Sequence, residues 1–245
     1  MTANTSDTYD TSDTSGDKRI DLRPGLIGSA VALLVSAGLS VWGWSTIPDG
    51  ARIPMHWNGA GEVDRYGSKT EALLTLPLVM AGICVLMAVL PLVLPRQKGL
   101  AGSARAYTAA WLGVLVLMTG LHAAEIINAT GGGIPTPRIA IAGVGLLLVV
   151  LGNYLPKTRA NWVVGVRTPW TLQSERSWRR THRLAGWLFV GFGLLLLAFA
   201  FLLPLSALVP VIITGAVLSG VVPAAYSWWT WRGDPDAEDS PAARR

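Results

Sequence analysis

Long apolar runs alternate with short charged ones along this chain, and the alternation predicts six membrane-crossing helices. A bilayer core takes roughly 20 apolar residues in helical form. That length is met at about Leu26–Ile47, Ala72–Leu94, Ala106–Ile127, Ile139–Leu155, Leu184–Leu203 and Ala207–Trp229. The fourth run is the shortest and contains glycine, while only a turn around Pro204–Ser206 separates the last two, which predicts a helical hairpin. Composition points the same way: 14% of the residues are charged and 51% hydrophobic, in place of the usual quarter charged. The expected fold class is all-α, a polytopic membrane protein with six transmembrane helices.

Charge then orients the spans. Sixteen Lys and Arg fall in the two tails and the second and fourth connections, against four (Arg52, Arg65, Lys69 and Arg138) on the opposite side. By the positive-inside rule both termini are expected in the cytoplasm. A net charge of +5 carried on such flanks marks a membrane surface, so no direct nucleic-acid partner is expected. The Thr-, Ser- and Asp-rich start lacks an apolar stretch and is expected to be a disordered tail, with the first span an uncleaved signal-anchor. Cys84, the single cysteine, lies in an apolar run and reads as a small buried hydrophobe. Gly28, Ala32, Ser36 and Ser40 recur every four residues on the first helix, as do Gly215 with Ser219 and Ala216 with Gly220 on the sixth. Such spacing lets helix backbones approach closely. Pro77, Pro91, Pro210 and Pro223 lie within or near spans and would loosen them locally.

Three polar segments could carry chemistry. The first outer loop, rich in Pro, Gly, Asn and Asp, predicts a structured turn region with Trp57 and Tyr66 at the membrane interface. One histidine, His56, with Glu62 and Asp64 is a thin ligand set, so no metal and no cofactor is assigned. His122, Glu125 and Asn128 stand near the outer end of the third span. Either Glu125 is wet at the surface while His122 serves packing, or the three line a polar cavity that takes a ligand or ion from outside. Finally, residues 152–186 form a basic, Trp-rich connector in which Pro156 and Pro169 interrupt helix. Thr171 or Ser174 can cap a short helix with Glu175 in its first turn and Arg179, Arg180 and Arg183 towards its end, which suits the helix dipole. Glu175 and Arg179 are spaced to pair, Trp178 and His182 share a face, and Trp162, Trp170 and Trp178 offer rings to the headgroups. The segment is either an interfacial anchor or a recognition surface for a peptide or cytoplasmic protein. Neither it nor the rest of the chain shows a nucleophile arrangement, and no enzyme is expected.

Two of these segments resemble known families. Pro54, His56, Asn58, Gly61, Asp64 and Lys69, with their neighbours, are similar to the bacterial membrane module of unknown function DUF1648. Gly152, Asn153, Pro156, Asn161, Gly165, Arg167, Thr168, Pro169, Trp170, Glu175, Trp178, Thr181 and His182 closely resemble the signature of the SdpI family, bacterial multi-pass proteins named for immunity to a secreted killing peptide. The resemblance implies a tail at 1–23, a DUF1648-like module at 24–104, an SdpI-like region at 105–229 and a cytoplasmic tail at 230–245. It implies a protein of the bacterial cytoplasmic membrane that binds or sequesters a peptide toxin. The rival readings are a scaffold recruiting a cytoplasmic regulatory protein through the connector, and a transporter of ions or small solutes.

Overall fold

The computed structural model describes residues 20–93 and 98–234. Most of the expected N-terminal tail, the expected C-terminal tail after Asp234 and the expected end of the second span at Leu94 lie outside the described residues. Six long helices are apolar enough to cross a membrane: α1 (Arg23–Thr46), α2 (Lys69–Val93), α4 (Ala104–Ala129), α5 (Thr136–Tyr154), α7 (Glu175–Phe199) and α8 (Leu205–Arg232). The chain is a polytopic membrane protein. Short helices α3 (Lys98–Gly102) and α6 (Pro169–Gln173) and a 3-10 turn at Leu155–Lys157 fill connections. Large apolar side chains such as Leu34, Leu78, Leu92 and Leu202 point outward, as expected where hydrocarbon is the solvent.

The turn region expected after the first span is a β-hairpin. Strands β1 (Ile53–Trp57) and β2 (Val63–Gly67) pair antiparallel, with Ile53 opposite Gly67 and Trp57 opposite Val63. Its turn is built by Asn58, whose Oδ1 accepts from the amides of Ala60 (2.9 Å) and Glu62 (3.0 Å). Ile53 is buried with Ile47, Ala72, Leu73 and Ile126, so the hairpin is seated on α1, α2 and α4. Ser68 then caps α2, its hydroxyl accepting from the Glu71 amide at 3.2 Å.

The small-residue ladder of α1 is its packing face. Gly25 and Gly28 sit against Trp111 and Leu112 of α4, and Ala32 joins Met80, Cys84, Tyr107, Trp111 and Leu115 in the core. On α8 only part of the expected ladder packs: Gly215 meets Phe192 of α7, whereas Gly220 has open space beside it. The closest approach is between α5 and α7. A Cβ on Gly152 would lie 2.7 Å from the Gly186 carbonyl oxygen, and one on Gly186 would lie 2.7 Å from that of Gly152.

The prolines lie inside continuous helices, and the α2 pair is compensated by neighbours. A proline has no N–H for the carbonyl four residues before it. Pro77 thus leaves the Leu73 carbonyl free, and Ser40 Oγ donates to it at 2.8 Å. Pro91 leaves Met87 free, and the Tyr107 hydroxyl donates there.

A larger correction concerns the connector. The predicted short helix and the fifth span are one helix: α7 starts at Glu175 and continues to Phe199. Arg179, Arg180 and Arg183 therefore stand near its N-terminal end, where the helix dipole disfavours cations.

Candidate functional site

The connector between α5 and α7 folds into a plug at the end of the bundle away from the hairpin. Its centre is His182, fully buried, with its ring stacked on that of Trp178 at 3.9 Å between centroids. Nδ1 lies 2.8 Å from the Trp178 carbonyl, while Nε2 accepts from the Val166 amide at 3.0 Å. A carbonyl at one nitrogen and an N–H at the other require a neutral ring protonated on Nδ1. Gly165, at φ +114°, closes over the ring, and a Cβ there would fall on His182 Nε2. Only glycine combines that backbone with that clearance.

Around this centre nearly every polar atom of the plug is tied to another. The Trp178 indole donates to the Thr158 carbonyl at 3.0 Å. Asn161, buried, accepts from the amides of Val163 and Val164 (both 2.8 Å) and donates to the Arg159 carbonyl (2.7 Å) and to Ser103 Oγ (3.1 Å). Thr168 and Thr171 cap α6 reciprocally, and Thr171 Oγ1 also donates to the Val166 carbonyl at 2.8 Å. Thr168 reaches Ser227 of α8 at 2.8 Å, and Ser177 donates to the Ser227 carbonyl at 2.8 Å. Ser174 caps α7 and also donates to Asp234. Thr181 is fully buried, and its hydroxyl has no partner among the described residues.

The connector thus divides into a closed interior and an exposed rim. Asn161, Thr171, Trp178, Thr181 and His182 are interior. Trp178 was expected among the headgroups but is 1% exposed, because its indole N–H finds its acceptor inside the plug; Trp162, 59% exposed, faces outward as expected. The rim holds Asn153, Pro156, Arg167, Pro169 and Glu175, with Trp170 half-buried. Arg167 donates to the Trp162 carbonyl at 2.6 Å, Asn153 to that of Val149 at 2.8 Å, and Glu175 pairs with Arg179 at 2.8 Å.

Residues 157–227 match the SdpI/YfhL protein family. Residues 31–81 match the domain of unknown function DUF1648, which here covers most of α1, the hairpin and the first half of α2. The chain is also 26% identical over 151 residues to the immunity protein SdpI of Bacillus subtilis (strain 168), covering 61% of this chain and 69% of that protein. No solved structure matches. The SdpI-like region takes in the plug, α7 and most of α8.

At the hairpin end the SdpI-like chain holds its second group of polar residues. His56 Nδ1 lies 2.6 Å from Asp64 Oδ1 across the strands, with both side chains exposed. Glu62, grouped with them on sequence, instead accepts from Asn58 Nδ2 at 3.1 Å. Lys69 pairs with Asp49 at 2.9 Å and lies over the Trp44 ring, joining the ends of α1 and α2. Gly61, at φ +87°, lies against Leu205 of α8. Pro54, Trp57 and Gly61 line one wall of a cleft of about 460 Å³, opposite Gly132, Arg138 and Leu205.

The intramembrane trio separates into two units. His122 is fully buried, with Nε2 3.0 Å from Ser40 Oγ. Since the Ser40 hydroxyl donates to Leu73, it can only accept from the imidazole, which places the ring proton on Nε2 and leaves Nδ1 without a partner among the described residues. Glu125, 7% exposed, likewise has an Oε1 without a partner among the described residues, while Arg65 and Glu71 pair with each other at 2.5 Å. The expectation of a wet Glu125 is thereby corrected, because the seated hairpin covers this end of α4. Asn128 instead ties the α4–α5 loop, bonding the Ile134 carbonyl (2.7 Å) and amide (2.7 Å) and Thr136 Oγ1 (2.6 Å). Sequence reading also missed Arg138, whose guanidinium donates to the Ala200 (2.6 Å) and Leu203 (2.8 Å) carbonyls at the end of α7. A lone arginine beside an apolar run was the available signal.

Proposed function

We propose that this SdpI-like membrane protein protects its cell against a membrane-active antimicrobial peptide, binding it at the hairpin end of the bundle. The observation that carries the reading is the cleft between the β-hairpin and the α4–α5 loop. It is bounded by an indole, three prolines and a glycine-rich strip of accessible backbone, the kind of surface on which an amphipathic peptide can lie. The charge bias supports this end facing outward from the cytoplasmic membrane, where a secreted peptide arrives. The similarity to a protein named for immunity supports the same role. The plug residues then serve from the opposite end, holding α5, α7 and α8 in register beneath the cleft.

The test is a strain lacking the gene, challenged with a panel of membrane-active peptides. Sensitivity to at least one peptide is expected, restored to resistance by the wild-type chain and not by Trp57→Ala expressed at the same level. Unchanged survival against the whole panel would remove the immunity reading.

A further inference from the structure

The first two and a half turns of α7 carry four arginines with a single carboxylate partner among the described residues. Arg176, Arg179, Arg180 and Arg183 are spaced three and four residues apart, so they crowd one another on one side of the helix. They also stand at the dipole's positive end. Among the described residues the carboxylate bonded to any of them is that of Glu175, paired with Arg179 while 74% exposed, and Arg176 is turned to the Gly233 carbonyl at 2.8 Å. The four line a cleft of about 480 Å³ whose remaining wall is Pro156. A second cleft, about 300 Å³, shares Arg176 and Arg180 and adds Arg232 and Trp229.

Position says what anion belongs there. Arg183 directly precedes the apolar part of α7, and Trp187, one turn further in, is 73% exposed. Trp229, beside the second cleft, is 62% exposed. Outward-facing indoles at this depth mark the headgroup level of a bilayer, with acyl chains below and phosphates above. A soluble acidic partner would not call for apolar rings just beneath the arginines; a lipid would.

We propose that the cleft of Arg176, Arg179, Arg180, Arg183 and Pro156 is a binding site for the headgroup phosphate of an anionic phospholipid, its acyl chains lying along α7 past Trp187. Guanidinium forks hold phosphate oxygens in pairs, and a bound phosphodiester with a net negative charge relieves the repulsion among the four. The site anchors the plug to its leaflet and is independent of what the hairpin end binds.

The test uses the full chain in a zwitterionic detergent, titrated with fluorescent phosphatidylglycerol and, separately, with fluorescent phosphatidylcholine, binding being read by anisotropy. Phosphatidylglycerol is expected to bind the more tightly, and Arg180→Gln/Arg183→Gln to weaken it about fivefold per arginine while leaving phosphatidylcholine unchanged. Arg180→Lys/Arg183→Lys, which keeps the charge, should retain most of the affinity, and Arg52→Gln at the opposite end should have no effect. Affinity of the Gln variant within about twofold of wild type would overturn the site. So would full competition by soluble glycerol phosphate, which would make it a site for a free anion, or retention of an acidic soluble protein by a cleft indifferent to phosphatidylglycerol.

Discussion

Ser40 donates its hydroxyl to the one carbonyl, that of Leu73, which Pro77 deprives of a helical N–H. The bond joins α1 to α2 in the bundle interior and fixes the direction of the remaining Ser40 lone pairs, which face His122. A single proline therefore sets up a three-helix polar link. Losing it by Ser40→Ala should cost about 1 kcal/mol, in line with hydrogen bonds inside membranes. In a Pro77→Ala background the helix supplies its own N–H, and the same substitution should cost clearly less. Equal losses in both backgrounds, measured by reversible unfolding in mixed micelles, would show that the proline is irrelevant to the bond. Tyr107→Phe and Pro91→Ala form the parallel cycle at Met87.

Gly165 offers a sharper test of the plug. Its φ of +114° and its closeness to His182 each exclude a side chain, so Gly165→Ala should destabilise the chain by about 2 kcal/mol or more. His182→Phe keeps the stack on Trp178 but loses both ring hydrogen bonds, leaving the Val166 amide unpaired, and should cost about 1–3 kcal/mol. Both variants should open the connector to limited proteolysis between 158 and 168 before the helices unfold. A variant whose cleavage is confined to other loops would contradict a plug organised on His182.

What the sequence made legible was what lipid dictates. Six apolar lengths, the Gly28–Ser40 ladder and the Glu175–Arg179 pair depend on spacing along one helix, and each has its counterpart in the fold. The β-hairpin was not legible because Ile53-Pro54-Met55-His56-Trp57 is too short and too interrupted to show alternation. The start of α7 was misjudged because its arginines read as a helix end, whereas the helix runs on through them. Trp178 read as interfacial for the same reason; its burial depends on Thr158, twenty residues away, and on the stack with His182. Ties such as Asn161–Ser103 and Thr168–Ser227 join residues more than fifty positions apart, a separation no local pattern encodes.

The exposed His56–Asp64 pair provides a contrast. Both partners are in solvent, so His56→Ala should change stability by less than about 0.5 kcal/mol despite the 2.6 Å contact. Gly152→Val, by comparison, would set a Cβ 2.7 Å from the Gly186 carbonyl oxygen, force α5 off α7, and should lower the unfolding midpoint more than any substitution in the hairpin. The ranking is read from thermal unfolding of the two purified variants side by side; a larger loss in His56→Ala would reverse the assignment of which end carries stability.

Sidedness can be checked with the chain's own cysteine count. Cys84 is the single cysteine and is buried, so Cys84→Ser gives a background free of thiols. Gly59 in the hairpin turn and Arg167 on the plug rim are both exposed and lie at opposite ends of the bundle. Gly59→Cys should react in intact cells with a thiol reagent that does not cross membranes, and Arg167→Cys only after lysis. The physical basis is the sixteen-to-four distribution of Lys and Arg across the two sides. The reverse labelling pattern would put the proposed peptide cleft in the cytoplasm, out of reach of a secreted toxin. The arginine cleft would survive that result, because phosphatidylglycerol is available to either leaflet and the four guanidiniums need only a headgroup at their own depth.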